Sequence, residues 1–239
     1  MKHWAQNGLK ALTSAWVWAL LATVAWSQSL TWLGTLPGGD YSAAWGVSAN
    51  GRVVVGSAQN AAGQERAFRW TASGGMQDLG TLGGGSNAWD VSADGSVVVG
   101  SAYNAAARDR HAFRWTPWSG MQDLGTLGGD YSAAFGVSAD GSVVVGWSYN
   151  AAGQGRAFRW TASGGVEDLN TTYASLLTNG STLVWAFAIS PDGRYIVGVG
   201  YNAVTRHDEA FLLDTVPEPA SLLALGAGLV GLLRRRGKQ

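Results

Sequence analysis

The chain has 239 residues, 16 Lys and Arg against 16 Asp and Glu, 35 Gly, 13 Trp and no Cys. Balanced charge gives no electrostatic footprint for nucleic acid, which is held mainly by basic groups on phosphates, and the lack of Cys excludes disulfides, a thiolate nucleophile and Cys-ligated metal centres. With 46% hydrophobic and 13% charged residues, the composition is that of a packed fold and not of a disordered tail.

Residues 1–27 carry Lys2 and Lys10, then an apolar stretch over 11–25 that ends in small residues. This is the layout of a secretory signal peptide. Small residues precede the cut equally well after Ala25 (Thr23, Ala25) and after Ser27 (Ala25, Ser27), so signal peptidase is the expected first partner at either bond.

The middle of the chain, 28–215, repeats itself. LGTL stands at 33–36, 79–82 and 124–127, decaying to LNTT at 169–172, in steps of 46, 45 and 45. VSANG at 47–51, VSADG at 91–95 and 137–141 and ISPDG at 189–193 form a second series; RAFRW at 66–70 and 156–160, HAFRW at 111–115 and EAFLL at 209–213 form a third. The unit is about 45 residues, and the last copy alone carries an insertion, around 173–182.

Each unit divides into four short segments with strand chemistry. The first places Trp45, Trp89, Phe135 and Phe187 in alternation with Val47, Val91, Val137 and Ile189. The second is the β-branched run Val53-Val54-Val55-Gly56 and its equivalents, which suits a strand covered on both faces. Asn50-Gly51, Asp94-Gly95, Asp140-Gly141 and Asp192-Gly193 lie between them, and that dipeptide predicts a hairpin with a type I′ turn. The third and fourth segments, around Phe68 and Met76, predict a second hairpin in which Arg69 faces Asp78, with Arg114/Asp123 and Arg159/Asp168 as equivalents.

Four strands in each of four repeats predict an all-β fold of four-stranded antiparallel blades, a β-propeller. The last unit lacks a fourth strand, while residues 30–36 (LTWLGTL) supply an orphan one, with Trp32 in the place of Asp78 and Leu212 in the place of Arg69. Ring closure by the N-terminal strand is therefore the expectation, and an open stack of four units the alternative.

The tail reads VPEPASLLALGAGLVGLLRRRGKQ: Pro217-Glu218-Pro219, an apolar run over 220–233, then Arg234, Arg235 and Arg236. A short membrane span followed by a basic stop is the physical reading. In those three parts, over 216–239, the tail resembles a PEP-CTERM sorting signal. The resemblance implies transient membrane anchoring, processing by an exosortase-type enzyme near Pro217, Glu218 and Pro219, and a Gram-negative bacterium that makes exopolysaccharide.

The segments GVSADGSVVVG, HAFRWT and MQDLGTLGG resemble the HAF repeats of bacterial extracellular proteins, and ISPDGRYIVG at 189–198 is similar to the Ser-Pro-Asp-Gly hairpin of TolB-like propellers. The HAF resemblance implies a secreted β-rich repeat protein without an assigned chemistry. His stands before Ala-Phe in one copy only, against Arg66, Arg156 and Glu209 in the others.

Chemistry is sparse. His3, His111 and His207 occupy no common repeat position, and no zinc-protease, nucleophile-elbow, phosphate-loop or complete EF-hand motif is present. No residue is assigned as catalytic, metal-binding or cofactor-binding. Glycine loops carry Asp40, Tyr41, Asn87, Asp130 and Tyr131, residue types that stack on and hydrogen-bond a sugar but also cap turns and fill gaps. The recurring Trp70, Trp115 and Trp160, like Trp45 and Trp89, are expected between blades.

The sequence therefore predicts an exported, non-enzymatic repeat protein sorted to the envelope or the exopolysaccharide matrix, in a structural or matrix-associated role. A carbohydrate-binding propeller is the alternative, and a hydrolase of matrix polymers the next. Loss of both ends would also remove Lys2, Lys10, Glu218, Arg234, Arg235, Arg236 and Lys238, leaving 10 basic and 15 acidic residues. That domain is acidic, at about −5, and further still from nucleic acid.

Overall fold

The structure, a computed structural model, describes residues 28–216. The leader expected over 1–27 and the sorting tail from 217 on, with its expected membrane helix, lie outside the described residues. No described helix is long and apolar enough to cross a membrane.

Four antiparallel sheets follow one another in chain order. The first contains β1 (Ser42–Val47), β2 (Val53–Gln59), β3 (Glu65–Thr71) and β4 (Gly75–Asp78); the second β5 (Gly83–Val91), β6 (Val98–Asn104), β7 (Asp109–Thr116) and β8 (Gly120–Gly125). The third contains β9 (Gly128–Val137), β10 (Val143–Asn150), β11 (Gly155–Thr161) and β12 (Gly165–Asp168), and the last β13 (Thr182–Ile189), β14 (Tyr195–Asn202) and β15 (His207–Asp214). Each repeat is one sheet with its strands paired in sequence order, which is the blade expected. The insertion of the last repeat forms a one-turn helix, Leu169–Thr172, capped by the Asp168 carboxylate, and a 3-10 turn at Ala174–Leu176.

The first hairpin of each blade is present, but its turn is not type I′. The ladder closes at Ser48 and Val53, Gly51 N–H donates to Ser48 O, and only Gly51 takes a positive φ, 70°. Asn50 serves as an acceptor: its Oδ1 receives Ser48 Oγ–H and Arg52 N–H, while Ser48 Oγ in turn receives Val53 N–H. The same closed circuit forms at Ser92/Asp94, Ser138/Asp140 and Ser190/Asp192. This accounts for Ser-x-Asp/Asn-Gly in all four repeats: the carboxyl or amide is selected to gather donors, not for its backbone freedom.

The second hairpin is one residue out of the expected register. Thr71 pairs with Gly75, Arg69 with Gln77 and Phe68 with Asp78, because the loop is three residues long and closes on Gly75 at φ 63° with Thr71 Oγ1 receiving Gly74 N–H. Arg69 therefore does not face Asp78; its Nε donates to Gly95 O of the next blade, as Arg114 does to Gly141 O. Asp78 meets Arg66 instead, at 3.7 Å, with His111–Asp123 at 2.8 Å and Arg156–Asp168 at 3.9 Å in the next two blades.

The core lies between sheets. One apolar cluster joins Val55, Ala67 and Leu79 of the first blade to Ala88, Val91 and Val98 of the second. Its counterparts join Val99, Ala112 and Leu124 to Ala134, Val137 and Val144, and Val145, Ala157 and Leu169 to Ala186 and Ile196. Within each blade the Phe of the Ala-Phe motif crosses the Gly that ends the β-branched run. A Cβ on Gly56, Gly100, Gly146 or Gly198 would stand 1.7–2.0 Å from a carbonyl of the neighbouring strand and under 3 Å from that Phe ring. Only glycine permits the contact. The aromatic of the inner strand (Trp45, Trp89, Phe135, Phe187) is bypassed where the ladder shifts register, forming a bulge in every blade.

The expected closure by the N-terminal strand does not form. No strand occupies 30–36, the last sheet ends at β15, and no strand pairing or shared apolar cluster joins the last sheet to the first among the described residues. Leu36 is instead buried on the first blade with Ala58 and Phe68, and Thr35 and Ser42 tie the segment down through Gly39 O and Gly34 O. The Trp series also divides: Trp115 is buried and Trp70, Trp89 and Trp160 half-buried, whereas Trp45 is exposed.

Candidate binding face

Of the five residues expected on glycine loops, only Asp40 and Tyr41 lie in one, just before β1; Asn87 lies within β5 and Asp130 and Tyr131 within β9, because pairing with the next strand reaches back into the glycine segment. The structure sets these residues in series and joins none of the five to another by a hydrogen bond or ring contact. Asp40, Tyr41 and Asp130 are exposed. Asn87 is buried and accepts from the Arg110 guanidinium, which also reaches Ser101 Oγ and Ser101 O. Tyr131 packs edge-on to Trp147 with ring centroids 5.1 Å apart.

Two tryptophans that break the repeat organise the same end of the last two blades. Trp147 stands where the first two blades have Ser57 and Ser101, and Trp185 where the first three have Ala43, Asn87 and Ala133. They stack at 4.5 Å with 5° between planes, and Tyr149, Phe135 and Phe187 extend the cluster. Gly155 makes room, since a Cβ there would be 2.7 Å from Trp147 Nε1. The signal for these residues was their departure from periodicity, not their type.

The insertion creates an open concavity of about 200 Å³ between the 3-10 turn and strands β14 and β15, lined by Leu177, Asn179, Thr182, Tyr201, Asn202 and Glu209. Asn202 Nδ2 and Thr205 Oγ1 donate to the Glu209 carboxylate, and these bonds hold its pKa below the ordinary value, so the group stays ionised. A cavity this size is below the roughly 300–1,000 Å³ of drug-sized pockets, which limits it to one small ring or a chain end. Among the described residues no three His, Asp or Glu side chains are grouped to hold a metal.

A second acid, on an inner strand, is half-buried. Asp90 stands where the other blades have Gly46, Gly136 and Ala188, and burial pushes its pKa up although Val137 N–H and Val91 N–H both donate to it. Its contact with Val137 ties the second blade to the third.

Residues 215–237 match the family model of the PEP-CTERM protein-sorting motif. The chain carries a PEP-CTERM sorting signal. That signal implies export and sorting at the cell envelope. No curated protein matches the chain. Among solved structures the chain is similar to TolB from Acinetobacter baumannii, with 15% identity and a TM-score of 0.50 over 72% of this chain and 43% of that one. A TolB-type protein from Agrobacterium tumefaciens matches with 14% identity and a TM-score of 0.46, over 72% of this chain and 57% of that one. The chain thus spans about half the length of these proteins, and the first likeness shows a propeller-like fold and nothing of activity.

Proposed function

We propose that this is an exported HAF-repeat protein of a Gram-negative bacterium, without catalytic activity, whose blades serve a structural or exopolysaccharide-associated role after exosortase-type processing. The observation that carries this reading is the adjacency of domain and signal. The last strand ends at Asp214 and the sorting motif begins at residue 215, so cleavage near Pro217-Glu218-Pro219 would free the folded blades whole. The repeated Ser and Asp pairs also serve the turn circuits, which supports a structural use of these residues.

The test expresses the full chain in a host with and without an exosortase. The expected result is loss of the tail and a shift from the membrane to the matrix fraction only when the enzyme is present, with Glu218→Ala retaining the tail. Identical fractionation in all three cases would overturn the reading.

The cavity beside Tyr201 favours carbohydrate as the matrix contact, since a tyrosine face beside amide and carboxylate acceptors suits a sugar ring. Polysaccharide pull-down should weaken roughly tenfold in Tyr201→Ala. Retention that is unchanged there and in Tyr41→Ala/Tyr131→Ala would remove the ligand reading.

A further inference from the structure

The two ends of the blade series leave exposed the positions that internal junctions bury. On the side of each blade that meets its successor, Val55, Val99 and Val145 are fully buried, yet the fourth member of that series, Val197, is 41% exposed. Ala67, Ala112 and Ala157 are likewise buried there, and Ala210 is exposed. On the side that meets the preceding blade, Val91 and Val137 are 6% and 7% exposed, while Val47 is 59% exposed. Ala88, Ala134 and Ala186 are buried, and Ala44 is exposed. What covers these positions at three internal junctions is always the opposite side of another blade.

The polar contacts follow the same rule. Ala67 N–H donates to Ser86 Oγ and Ala112 N–H to Ser132 Oγ, across successive blades. Each acceptor serine donates in turn to a glycine carbonyl six or seven residues before it, Gly80 O and Gly125 O. Ser42 makes the corresponding bond, to Gly34 O, and among the described residues nothing donates to its Oγ. The first blade thus presents the acceptor, and the last blade presents Ala210 as the matching donor.

We propose that two copies of the chain associate head to tail, the last blade of each packing on the first blade of the other, to give a two-fold ring of eight blades. Both junctions then repeat the internal one, and eight blades lie within the range of known propellers. Two complementary ends on one chain make the contact heterologous, and a ring satisfies both ends where a single junction would propagate a filament. The motif at 33–36 of one copy would enter its first blade beside the partner's three-stranded sheet, with Leu33 where Leu79, Leu124 and Leu169 stand at internal junctions.

The junction differs from the internal ones in two respects. Backbone bonds run from Ala49 N–H to Ala93 O, Ala93 N–H to Ala139 O and Ala139 N–H to Pro191 O, and Pro191 has no N–H to continue them. Leu212, 69% exposed, replaces the arginines that reach the next blade's glycine carbonyl. The contact between copies is therefore more apolar and has fewer hydrogen bonds than an internal one.

The natural chain has no Cys, which permits a clean test. The full chain carrying Ser42→Cys and Ala210→Cys is exported to an oxidising periplasm and run on a non-reducing gel. Ala67→Cys/Ser86→Cys, across an internal junction, serves as the control for folding and should cross-link within one chain. The expected product of the first variant is a covalent dimer, with no dimer from either single variant. A disulfide confined to one chain, a ladder of trimers and longer species, or no cross-link while the control forms would each overturn the proposal. So would a dimer from either single variant, which would mean like ends meeting.

Discussion

The second blade and the last one are built from the same strand motifs and differ in what covers them. In the second, Phe113, Val98 and Val99 are all fully buried, because a blade packs on either side. In the last, Phe211 is half-buried and Val197 and Leu212 are exposed. A blade's own hydrogen bonds shape it, and its neighbours supply most of its apolar burial, as in other repeat architectures where nearest-neighbour contacts dominate. The comparison also separates residues that keep one role in every blade from those that follow the neighbour.

The largest effect that can break this comparison is truncation of the ring that crosses the glycine. Phe113→Ala should cost about 3–5 kcal/mol, the range for a buried Phe in a close-packed core. Phe211→Ala should cost roughly half of that, because its site already opens to solvent. Urea denaturation of the two variants measures the difference. Equal losses would show that Phe211, packed on the cluster shared with the third blade, is covered as fully as Phe113 on the cluster shared with the first.

Much of this fold was legible in the sequence because the repeat supplies four readings of each position. The 45-residue period gave the blades, and Asn or Asp before Gly gave the first hairpin. The turn type and the register of the second hairpin were not legible. Both depend on which backbone groups a side chain satisfies: Asn50 as an acceptor for Ser48 and Arg52, Thr71 as an acceptor for Gly74. Pairing Arg69 with Asp78 was reasonable on charge, yet one residue of loop length outweighed a surface ion pair worth about 0–1 kcal/mol. The expected closure failed for a similar reason, since Leu36 finds its burial on the first blade. The ligand-loop residues fared unevenly. Exposed Tyr41 could be read from its loop, but the Arg110 that engages Asn87 and the Trp147 that receives Tyr131 come from later strands.

A smaller effect concerns the turn circuits that all blades share. Hydrogen bonds from Ser138 and Ser142 hold the Asp140 carboxyl down at about 2, and similar bonds lower Asp94 and Asp192. A folded-state pKa below the unfolded value of about 3.9 contributes stability that is present above that value and lost as pH falls through the folded one. The acid limb should therefore lie between about pH 4 and pH 2. Asp90 has the opposite sign: its raised pKa contributes stability that is present at low pH and lost as pH rises through the folded value. Asp140→Asn should flatten part of the acid limb while keeping the turn, because Asn50 already fills that place in the first blade. Thermal melts from pH 2 to pH 6 decide, and an unchanged acid limb would remove the carboxylate from this role.

The smallest expected effect tests how the repeat handles its missing strand. His111 sits against Asp123, as Arg66 and Arg156 sit against Asp78 and Asp168, so His111→Arg should change stability by no more than about 0.5 kcal/mol. Among the described residues the last blade has no fourth strand and hence no such Asp, and there the position is Glu209. Asn104 Nδ2 donates to Asp123 in the second blade, and Asn202 Nδ2, its equivalent, donates to Glu209 in the last. The carboxylate that receives the asparagine has moved from the absent strand to the one before it. His111→Glu should therefore cost about 1 kcal/mol by placing like charges opposite each other, and most of that cost should vanish when Asp123→Ala is added, because Asn104 can then donate to the new carboxylate. Urea denaturation of the two single variants and the double closes the cycle, and additive losses would mean that the exchange of His or Arg for Glu across the repeats has nothing to do with the missing Asp.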